Sequence, residues 1–452
     1  MSHESLPLRV KSGYALGDHT INVQLASVSL FFLFFLTEVA GLSPTAAGLV
    51  LLLGRAVDAF TDPLMGRVSD AMRWKLGRRR PFFLIGAIPF GVTFALLWSD
   101  PGLQGEHAIF MFYASVYVLN TLCSTLLAVP YVALLPELAL GYDERTSMNT
   151  FRSVAVMAAI LLTAVGMPAL VRAFGGGAAG YERSGMLFGF WIALPWLIVF
   201  AVTWERSDFR RPIQQGFAAG VRGLAGHRTY RILSSLFLSA RIAVDVSSAM
   251  LLFYFTHWLG RPEDFPLAMG AMLGSVILSL PVWLRLARTK DKRSIFIAGA
   301  LWWSVGSIGI LLCQPEHPRW LVLALFAFCG VGYAVADLIP WSMLGDVIDE
   351  GELVTGQRQE GIYGGVFTFL RKLGGALGVA GAGFLLDWAG FLRGGGAQGE
   401  SALLAIRSLA SIGPIVFLLL ASWIALHYPL TRERHAQILT ALARERENHA
   451  GG

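Results

Sequence analysis

Charged side chains are scarce in this sequence, and so are cysteines. Only 15% of its 452 residues are charged, whereas 55% are apolar. A soluble domain carries about 25% charged residues, and a single soluble core stops growing at about 250–300 residues. The composition therefore excludes one large soluble domain and indicates that lipid surrounds most of the chain.

Groups that would build a catalytic or disulfide-bonded site are also sparse. The three cysteines, Cys123, Cys313 and Cys329, each fall within a predicted helix, which argues against a disulfide framework. The nine histidines are scattered, and neither a His-rich metal set nor a Ser–His or Cys–His grouping stands out. We therefore expect a protein that is not an enzyme and has no cofactor, apart from Na⁺ as one candidate coupling ion.

Long apolar runs, in contrast, recur from one end of the chain to the other. A helix needs about 20 mostly apolar residues to cross a bilayer, and the runs predict twelve such spans. Their approximate limits are 12–39, 44–66, 81–99, 107–137, 149–173, 184–204, 232–258, 265–287, 294–313, 319–345, 362–388 and 402–428. The alternating segments of a membrane β-barrel do not stand out. The sequence thus predicts an all-α membrane protein with twelve transmembrane helices.

The longest polar interruption divides these spans into six and six. It predicts a cytoplasmic linker over 205–230, between six-helix halves at 1–204 and 231–428, with a cytoplasmic tail at 429–452. A Pro–aromatic pair near the end of span 4, Pro130–Tyr131, is echoed near the end of span 10 by Pro340–Trp341. Repeated halves with a site between them are typical of secondary transporters. Because one chain supplies both halves, we expect a monomer.

The distribution of basic residues predicts the orientation. Most Lys and Arg residues fall in segments that are cytoplasmic if the N-terminus is inside, as the positive-inside rule requires. This placement accounts for the net charge of +6 without a nucleic-acid partner. We expect an integral protein of a bacterial inner membrane, surrounded by membrane lipid, with both termini cytoplasmic.

Span 2 carries three ionisable residues, which are costly in a membrane and are therefore functional candidates. At 100° per residue, Arg55, Asp58 and Asp62 share one helical face, and Thr61 lies beside them. Two carboxylates and a hydroxyl form a set of oxygen ligands suited to Na⁺ or to a retained proton. The alternative is a structural ion-pair cluster formed with Arg55.

Two cations are predicted inside other spans. Lys372 lies in the middle of span 11, and its expected partner is Asp58 or Asp62 from the other half. Arg152 lies near the start of span 5, where it either faces the substrate or snorkels to the cytoplasmic edge.

Amide and aromatic side chains complete the candidate substrate site. Hydroxyl-rich ligands such as sugars need paired donors and acceptors and a flat apolar platform. The candidates are Asn22, Tyr131, Asn149 and Trp341. For any single aromatic residue here, packing or a place in the interfacial belt is the alternative.

These motifs carry a resemblance over nearly the whole chain. The stretch from Gly54 to Gly66 in span 2 resembles the signature of the glycoside–pentoside–hexuronide:cation symporters, the melibiose permease-like branch of the major facilitator superfamily. The following loop, with Asp70 and Gly77 to Pro81, resembles that branch's form of the superfamily loop motif. Asn149 and Arg152 match its span 4–5 region, and Arg371–Lys372 matches its span 10–11 region.

The resemblance implies roles for particular residues. It implies a major facilitator fold, cation binding by Asp58, Thr61 and Asp62, and a cavity lined by Arg152 and Lys372. Conformational gating is implied for Arg55, Asp70, Arg78 and Arg79.

Two positions depart from the family pattern. Ala128 replaces a span 4 carboxylate, which leaves both Na⁺ and H⁺ open as the coupling ion. Asn22 replaces a sugar-binding Asp. The expectation is cation-coupled symport of a small molecule, a sugar or glycoside, by alternating access. A lysophospholipid or other amphiphile is the alternative, because a vertebrate lysophosphatidylcholine transporter shares the span 2 motif.

Overall fold

The computed structural model describes residues 6–139, 142–205, 224, 226–287, 289–356 and 359–450. Within these ranges the chain forms helices and connecting loops, and no β-strand is present. Most of the predicted linker, 205–230, lies outside the described residues.

Fifteen α-helices follow one another along the described chain. Their bounds are α1 Leu8–Ser27, α2 Pro44–Ala71, α3 Arg80–Leu97, α4 Glu106–Leu138, α5 Tyr142–Leu161, α6 Met167–Ala173, α7 Gly177–Ala193, α8 Pro195–Val202, α9 Arg228–Phe253, α10 Phe265–Ala287, α11 Lys292–Leu312, α12 Arg319–Thr355, α13 Glu360–Trp388, α14 Glu400–Leu426 and α15 Arg432–Ala450.

Eleven helical stretches of the described chain are long and apolar enough to cross a membrane. They match eleven of the twelve predicted spans, once α5 is joined to α6 and α7 to α8. The first predicted span falls on α1 and two π-helical segments, Val28–Phe32 and Phe35–Val39. This stretch is helical from 8 to 39 and carries Asp18 and Gln24 as buried polar residues.

A π-helical segment also ends the seventh predicted span, where Tyr254–Trp258 continues α9. Single π-turns are rare and often lie at functional sites. A further π-helical segment, Leu162–Gly166, lies in the fifth predicted span, so the feature is not specific to the first span of each predicted half.

The described chain forms two compact units. Unit 1 comprises Met1–Arg210 and Ala380–Ala402, and unit 2 comprises Arg211–Val379 and Leu403–Gly452. Unit 1 thus includes the end of α13, where Thr45 donates a 2.6 Å hydrogen bond to Asp387 and Arg393 pairs with Glu106 at 2.9 Å. The boundaries at 204, 231 and 428 stay predictions.

Glycine allows close helix contacts in both units. In unit 1, a Cβ on Gly91 would lie 2.4 Å from the carbonyl oxygen of Gly189, so α3 and α7 touch through their backbones. In unit 2, a Cβ on Gly332 would lie 2.5 Å from the carbonyl oxygen of Gly299. Small residues at such crossings are typical of membrane helices.

The tail beyond residue 429 contains a helix that packs on unit 2. In α15, Ile438 and Leu442 are buried. His435 lies 3.0 Å from Asp349 of α12 through its Nε2 atom. Hydrophobic burial and this polar contact together hold α15 in place.

Candidate functional site

The two carboxylates of α2 meet at one hydroxyl from a neighbouring helix. Thr125 of α4 lies with its Oγ1 atom 3.0 Å from Asp58 Oδ1 and 3.0 Å from Asp62 Oδ1. Asp58 is buried and Asp62 is half-buried. The predicted pair therefore does share one face of α2, and α4 supplies a third oxygen.

The carboxylate oxygens of Asp58 and Asp62 share one hydrogen-bond donor, the Thr125 hydroxyl. The hydroxyl of Thr125 carries a single proton and can donate it fully to only one carboxylate. Two carboxylates close together repel each other unless a positive charge lies near them. Cation binding by Asp58, Thr61 and Asp62 stays a prediction.

Backbone features of α2 shape this site. Pro63 follows Asp62 and has no N–H, so the carbonyl of Ala59 lacks its usual helical donor. Thr61, a predicted ligand, donates its hydroxyl proton to the carbonyl of Val57 at 3.0 Å. Its Oγ1 can contribute to ion binding only through a lone pair.

Ala128 follows Thr125 by three residues, on the same side of α4. It places a methyl group where the resembled family has a carboxylate. Within the described residues, no group of three or more His, Cys, Asp or Glu side chains could hold a metal ion. Arg55 is half-buried one turn before Asp58, and its gating and ion-pair roles stay predictions.

A second carboxylate site lies on α1, about three helical turns after the start of that helix. Asp18 accepts two hydrogen bonds from Arg152 of α5, from Nε at 2.5 Å and from Nη2 at 3.1 Å. The Tyr131 hydroxyl of α4 donates to Asp18 Oδ2 at 2.7 Å, the oxygen that also accepts from Arg152 Nε. The Nη1 atom of Arg152 donates to Asn149 Oδ1 at 2.9 Å. Three helices thereby converge on one ion pair.

Stacked aromatic rings support this ion pair from one side. The rings of Tyr14 and Tyr131 stack with centroids 4.3 Å apart, and the Arg152 guanidinium lies 5.8 Å from the Tyr131 centroid. Gly17 makes the arrangement possible, because a Cβ there would lie 2.5 Å from the Tyr131 ring. A rigid aromatic base therefore orients the guanidinium.

Two further polar residues of α1 are occupied locally. Asn22 donates to the carbonyl of Asp18 at 2.8 Å. His19 accepts a hydrogen bond at Nε2 from the Trp191 indole at 3.0 Å, and its Nδ1 lies 3.3 Å from the carbonyl of Ala155. An acceptor at Nε2 and a donor at Nδ1 describe the neutral imidazole. His19 is therefore a structural group here.

Three of the four predicted gating residues, Asp70, Arg78 and Arg79, form an ion network at the α2–α3 loop around the buried side chains of Arg79 and Glu137. Arg79 is 1% exposed and pairs with Glu137 of α4, and it also pairs with Asp70 at 2.5 Å. Arg78 reaches the same Glu137 oxygen at 2.9 Å. Glu137 is fully buried, so two guanidinium groups compensate one carboxylate. The loop is thereby anchored to α4.

Glu205 fixes the other side of the loop. Its carboxylate accepts hydrogen bonds of 2.7 to 2.9 Å from the backbone N–H groups of Arg78, Arg79 and Arg80. These N–H groups belong to the start of α3, where a carboxylate satisfies orphan donors and the helix dipole favours negative charge. The gating roles of the loop residues stay predictions.

In unit 2 the structure places the candidates in separate surroundings. Trp341 is 39% exposed and packs edge-on against Phe237 and Phe367, whose own rings stack at 4.2 Å. Lys372 is half-buried within α13. Its predicted pairing with Asp58 or Asp62 stays a prediction.

Asp245 of α9 forms a local ion pair. Arg241 pairs with it at i, i+4 through contacts of 3.0 and 2.5 Å. A Cβ on Gly375 would lie 1.8 Å from Asp245 Oδ2, so that glycine gives this carboxylate its space.

Sequence reasoning missed four residues of these sites, namely Asp18, Thr125, Glu137 and Glu205. Asp18 and Glu137 had a detectable signal, since each is an acid within or at the end of an apolar span. Thr125 and Glu205 had none, because their role depends on which helix lies beside α2 or α3.

Comparison with known proteins identifies the family. A family model described as MFS/sugar transport protein matches residues 13–432. An uncharacterized symporter of Synechocystis is 30% identical, covering 99% of both chains. The chain belongs to the MFS/sugar transport protein family. It is therefore a membrane transporter and not an enzyme.

Other relatives of this MFS transporter have more specific names. A glucuronide carrier protein homolog of Escherichia coli is 28% identical over 97% of this chain and 96% of its own. The sodium-dependent lysophosphatidylcholine symporter 1-A of Danio rerio is 26% identical over 93% of this chain and 85% of its own. The structure of the xylose transporter XylE from E. coli matches with a TM-score of 0.65, at 13% identity, over 96% of this chain and 98% of XylE. The predicted major facilitator fold is thereby confirmed.

Proposed function

We propose that this transporter couples the movement of one cation to uptake of a sugar or glycoside. The observation that carries the proposal is the acid pair of α2, with both carboxylates 3.0 Å from the Thr125 hydroxyl. A carboxylate pair in a membrane span is costly unless a positive ion neutralises it. Coupling requires that the ion and the substrate both bind more tightly to the same conformation of the transporter. In our proposal, neutralisation of the acid pair by the ion favours that conformation.

The substrate is assigned to the polar group around Asp18. Arg152, Asn149 and Tyr131 offer donors and acceptors beside two stacked aromatic rings, the combination that a sugar needs. The family description and the names of the bacterial relatives support a sugar or glycoside. Asn22, Trp341 and Lys372 stay predicted contacts, and alternating access stays the proposed route.

The coupling ion is Na⁺ or H⁺, and the site chemistry separates the two. Na⁺ needs several oxygen ligands, whereas a proton needs only one carboxylate with a raised pKa. With Ala128 in place of a carboxylate, the site has one oxygen-bearing side chain fewer for Na⁺, whereas H⁺ needs only one of the two acids. We therefore expect H⁺ to be the stronger driver. A bacterial inner membrane, cytoplasmic termini and a monomer complete the proposal.

Gradient-driven uptake into proteoliposomes tests this function. The probes are labelled neutral and acidic glycosides, each driven by a pH gradient or a Na⁺ gradient. We expect Asp58→Asn and Asp62→Asn to abolish accumulation, because neither amide can hold the ion, while thermal unfolding stays cooperative. Asp100→Asn, the same change in an exposed loop, should accumulate substrate like the wild type. Normal accumulation by both α2 variants would refute the proposal.

A lysophospholipid carrier is the second candidate, because a relative is named for lysophosphatidylcholine symport. The same proteoliposomes decide between the two with labelled lysophosphatidylcholine. Lysophosphatidylcholine uptake without any glycoside response would transfer the function to this class.

A further inference from the structure

The Asp18–Arg152 pair leaves part of the guanidinium available to a ligand. Arg152 has five N–H donors. The bonds to Asp18 and Asn149 use three of them. Two donors on the η nitrogens remain, beside the exposed amide of Asn149. These groups can serve sugar hydroxyls without breaking the ion pair.

The charges around this pair are balanced inside unit 1. Asp18 cancels the charge of Arg152 at bidentate distance. Toward the start of α1, Lys11 pairs with Glu144 at 2.8 Å. His19 is neutral in its hydrogen-bonding arrangement. A ligand at Arg152 therefore meets a nearly neutral surface, although an arginine lies at its centre.

We propose that Asp18 sets the charge preference of the substrate site. By occupying Arg152, it makes the site select neutral, hydroxyl-bearing glycosides and reject glycosides that carry a carboxylate. The inference rests on the proposed glycoside symport and names the substrate class within it.

The physical reason is the cost of displacing a buried ion partner. A substrate carboxylate gains the full charge of Arg152 only if Asp18 leaves, and a buried carboxylate without its partner is strongly destabilising. If Asp18 stays, the two negative groups repel each other at close range. A hydroxyl meets neither penalty, because it accepts from the remaining N–H donors and can donate to Asp18.

Asp18→Asn tests the inference with little change in shape. The amide keeps one oxygen to accept from Arg152 but removes the cancelling charge. The probes are methyl β-D-glucopyranoside and methyl β-D-glucopyranosiduronate, which differ only at C6, and their binding to purified protein is measured by calorimetry. We expect the wild type to favour the neutral probe and the variant to shift the affinity ratio toward the uronide by at least about tenfold.

A second readout reports the ion pair directly. Modification of Arg152 by phenylglyoxal, followed by peptide mass spectrometry, should be slow in the wild type and faster in Asp18→Asn. In the variant, the uronide should protect Arg152. If the single variant fails to fold, Asp18→Asn with Arg152→Gln removes both charges together, and it should lose the wild-type discrimination between the probes.

Three results would overturn the inference. They are a wild type that favours the uronide, an unchanged affinity ratio in the variants, and no binding of either probe to any of these proteins. Failure of the proposed symport is seen separately, as gradient-driven uptake that does not depend on Asp58 and Asp62.

Discussion

Single residues from α4 and α5 give the two carboxylate sites of unit 1 their different chemistry. At Asp58 and Asp62, Thr125 contributes one neutral hydroxyl that lies 3.0 Å from an oxygen of each carboxylate. At Asp18 the neighbour is Arg152, so the charge is already balanced. In our proposal, the first site binds the coupling ion reversibly, and the second site binds a neutral ligand.

Thr125 provides the prediction at this scale. Thr125→Val keeps the shape and removes the hydroxyl, so both carboxylates lose a shared partner. A hydrogen bond donated to a charged group contributes about 1.5–3 kcal/mol and favours the ionised carboxylate, so its loss should raise the apparent affinity for H⁺, the expected coupling ion, about ten- to a hundredfold. Uptake measured against ion concentration gives this value.

Thr125→Ser is the matched control, because it restores the hydroxyl and should return the affinity to near the wild-type value. An unchanged ion dependence in Thr125→Val would mean that the hydroxyl takes no part in ion binding.

At the scale of helices, the absence of a side chain at Gly17 determines how α1 meets α4. The Tyr131 ring occupies the space beside Gly17, which lets it stack on Tyr14 and reach Asp18. The contact between two helices and the geometry of the polar site are therefore one feature. The α2–α3 loop shows a similar dependence, since Glu137 and Glu205 hold it from α4 and from the end of α8.

Gly17→Ala should disturb both packing and binding. The added methyl forces the Tyr131 ring away, and overpacking of this kind costs about 1–3 kcal/mol. We expect a lower unfolding temperature and weaker glycoside binding. Thermal unfolding of the purified protein and calorimetry measure the two effects.

Gly270→Ala in α10 is the control for the helix itself. A Cβ at this position meets nothing within 4 Å, so alanine should leave the stability unchanged or raise it through helix propensity. Equal unfolding temperatures for Gly17→Ala and Gly270→Ala would show that the Tyr131 contact does not constrain α1.

At the scale of the whole molecule, the helical spans and the basic loops define a topology that can be tested directly. With both termini cytoplasmic, the loops before α4 and before α14 lie outside. Their exposed residues Gln104 and Ala397 are suitable probe positions. Cysteine labelling in a variant whose three native cysteines are replaced distinguishes the two sides of the membrane.

We expect Gln104→Cys and Ala397→Cys to react with an impermeant maleimide added to intact cells. Ser2→Cys and Gly451→Cys should react only after permeabilisation. The charge asymmetry of the loops is the physical reason for this orientation. Outside labelling of either terminus would contradict it.

The sequence by itself determined the membrane class, the positions of the spans and the shared face of Asp58 and Asp62. These follow from apolar run length and from the 100° turn per residue, which are local properties of a helix. The i, i+4 pairing of Arg241 with Asp245 is a local property of the same kind.

Only the tertiary structure decided which helices lie beside each other. That is why Thr125, Arg152 with Asp18, and Glu205 at the start of α3 were beyond sequence reasoning. The partners stand 63 to 134 residues apart in the two carboxylate sites, and no local periodicity carries such a relation. A carboxylate in a membrane span predicts that a polar or charged partner lies nearby, because burying the carboxylate alone is costly. Which group supplies that partner depends on the packing of the surrounding helices.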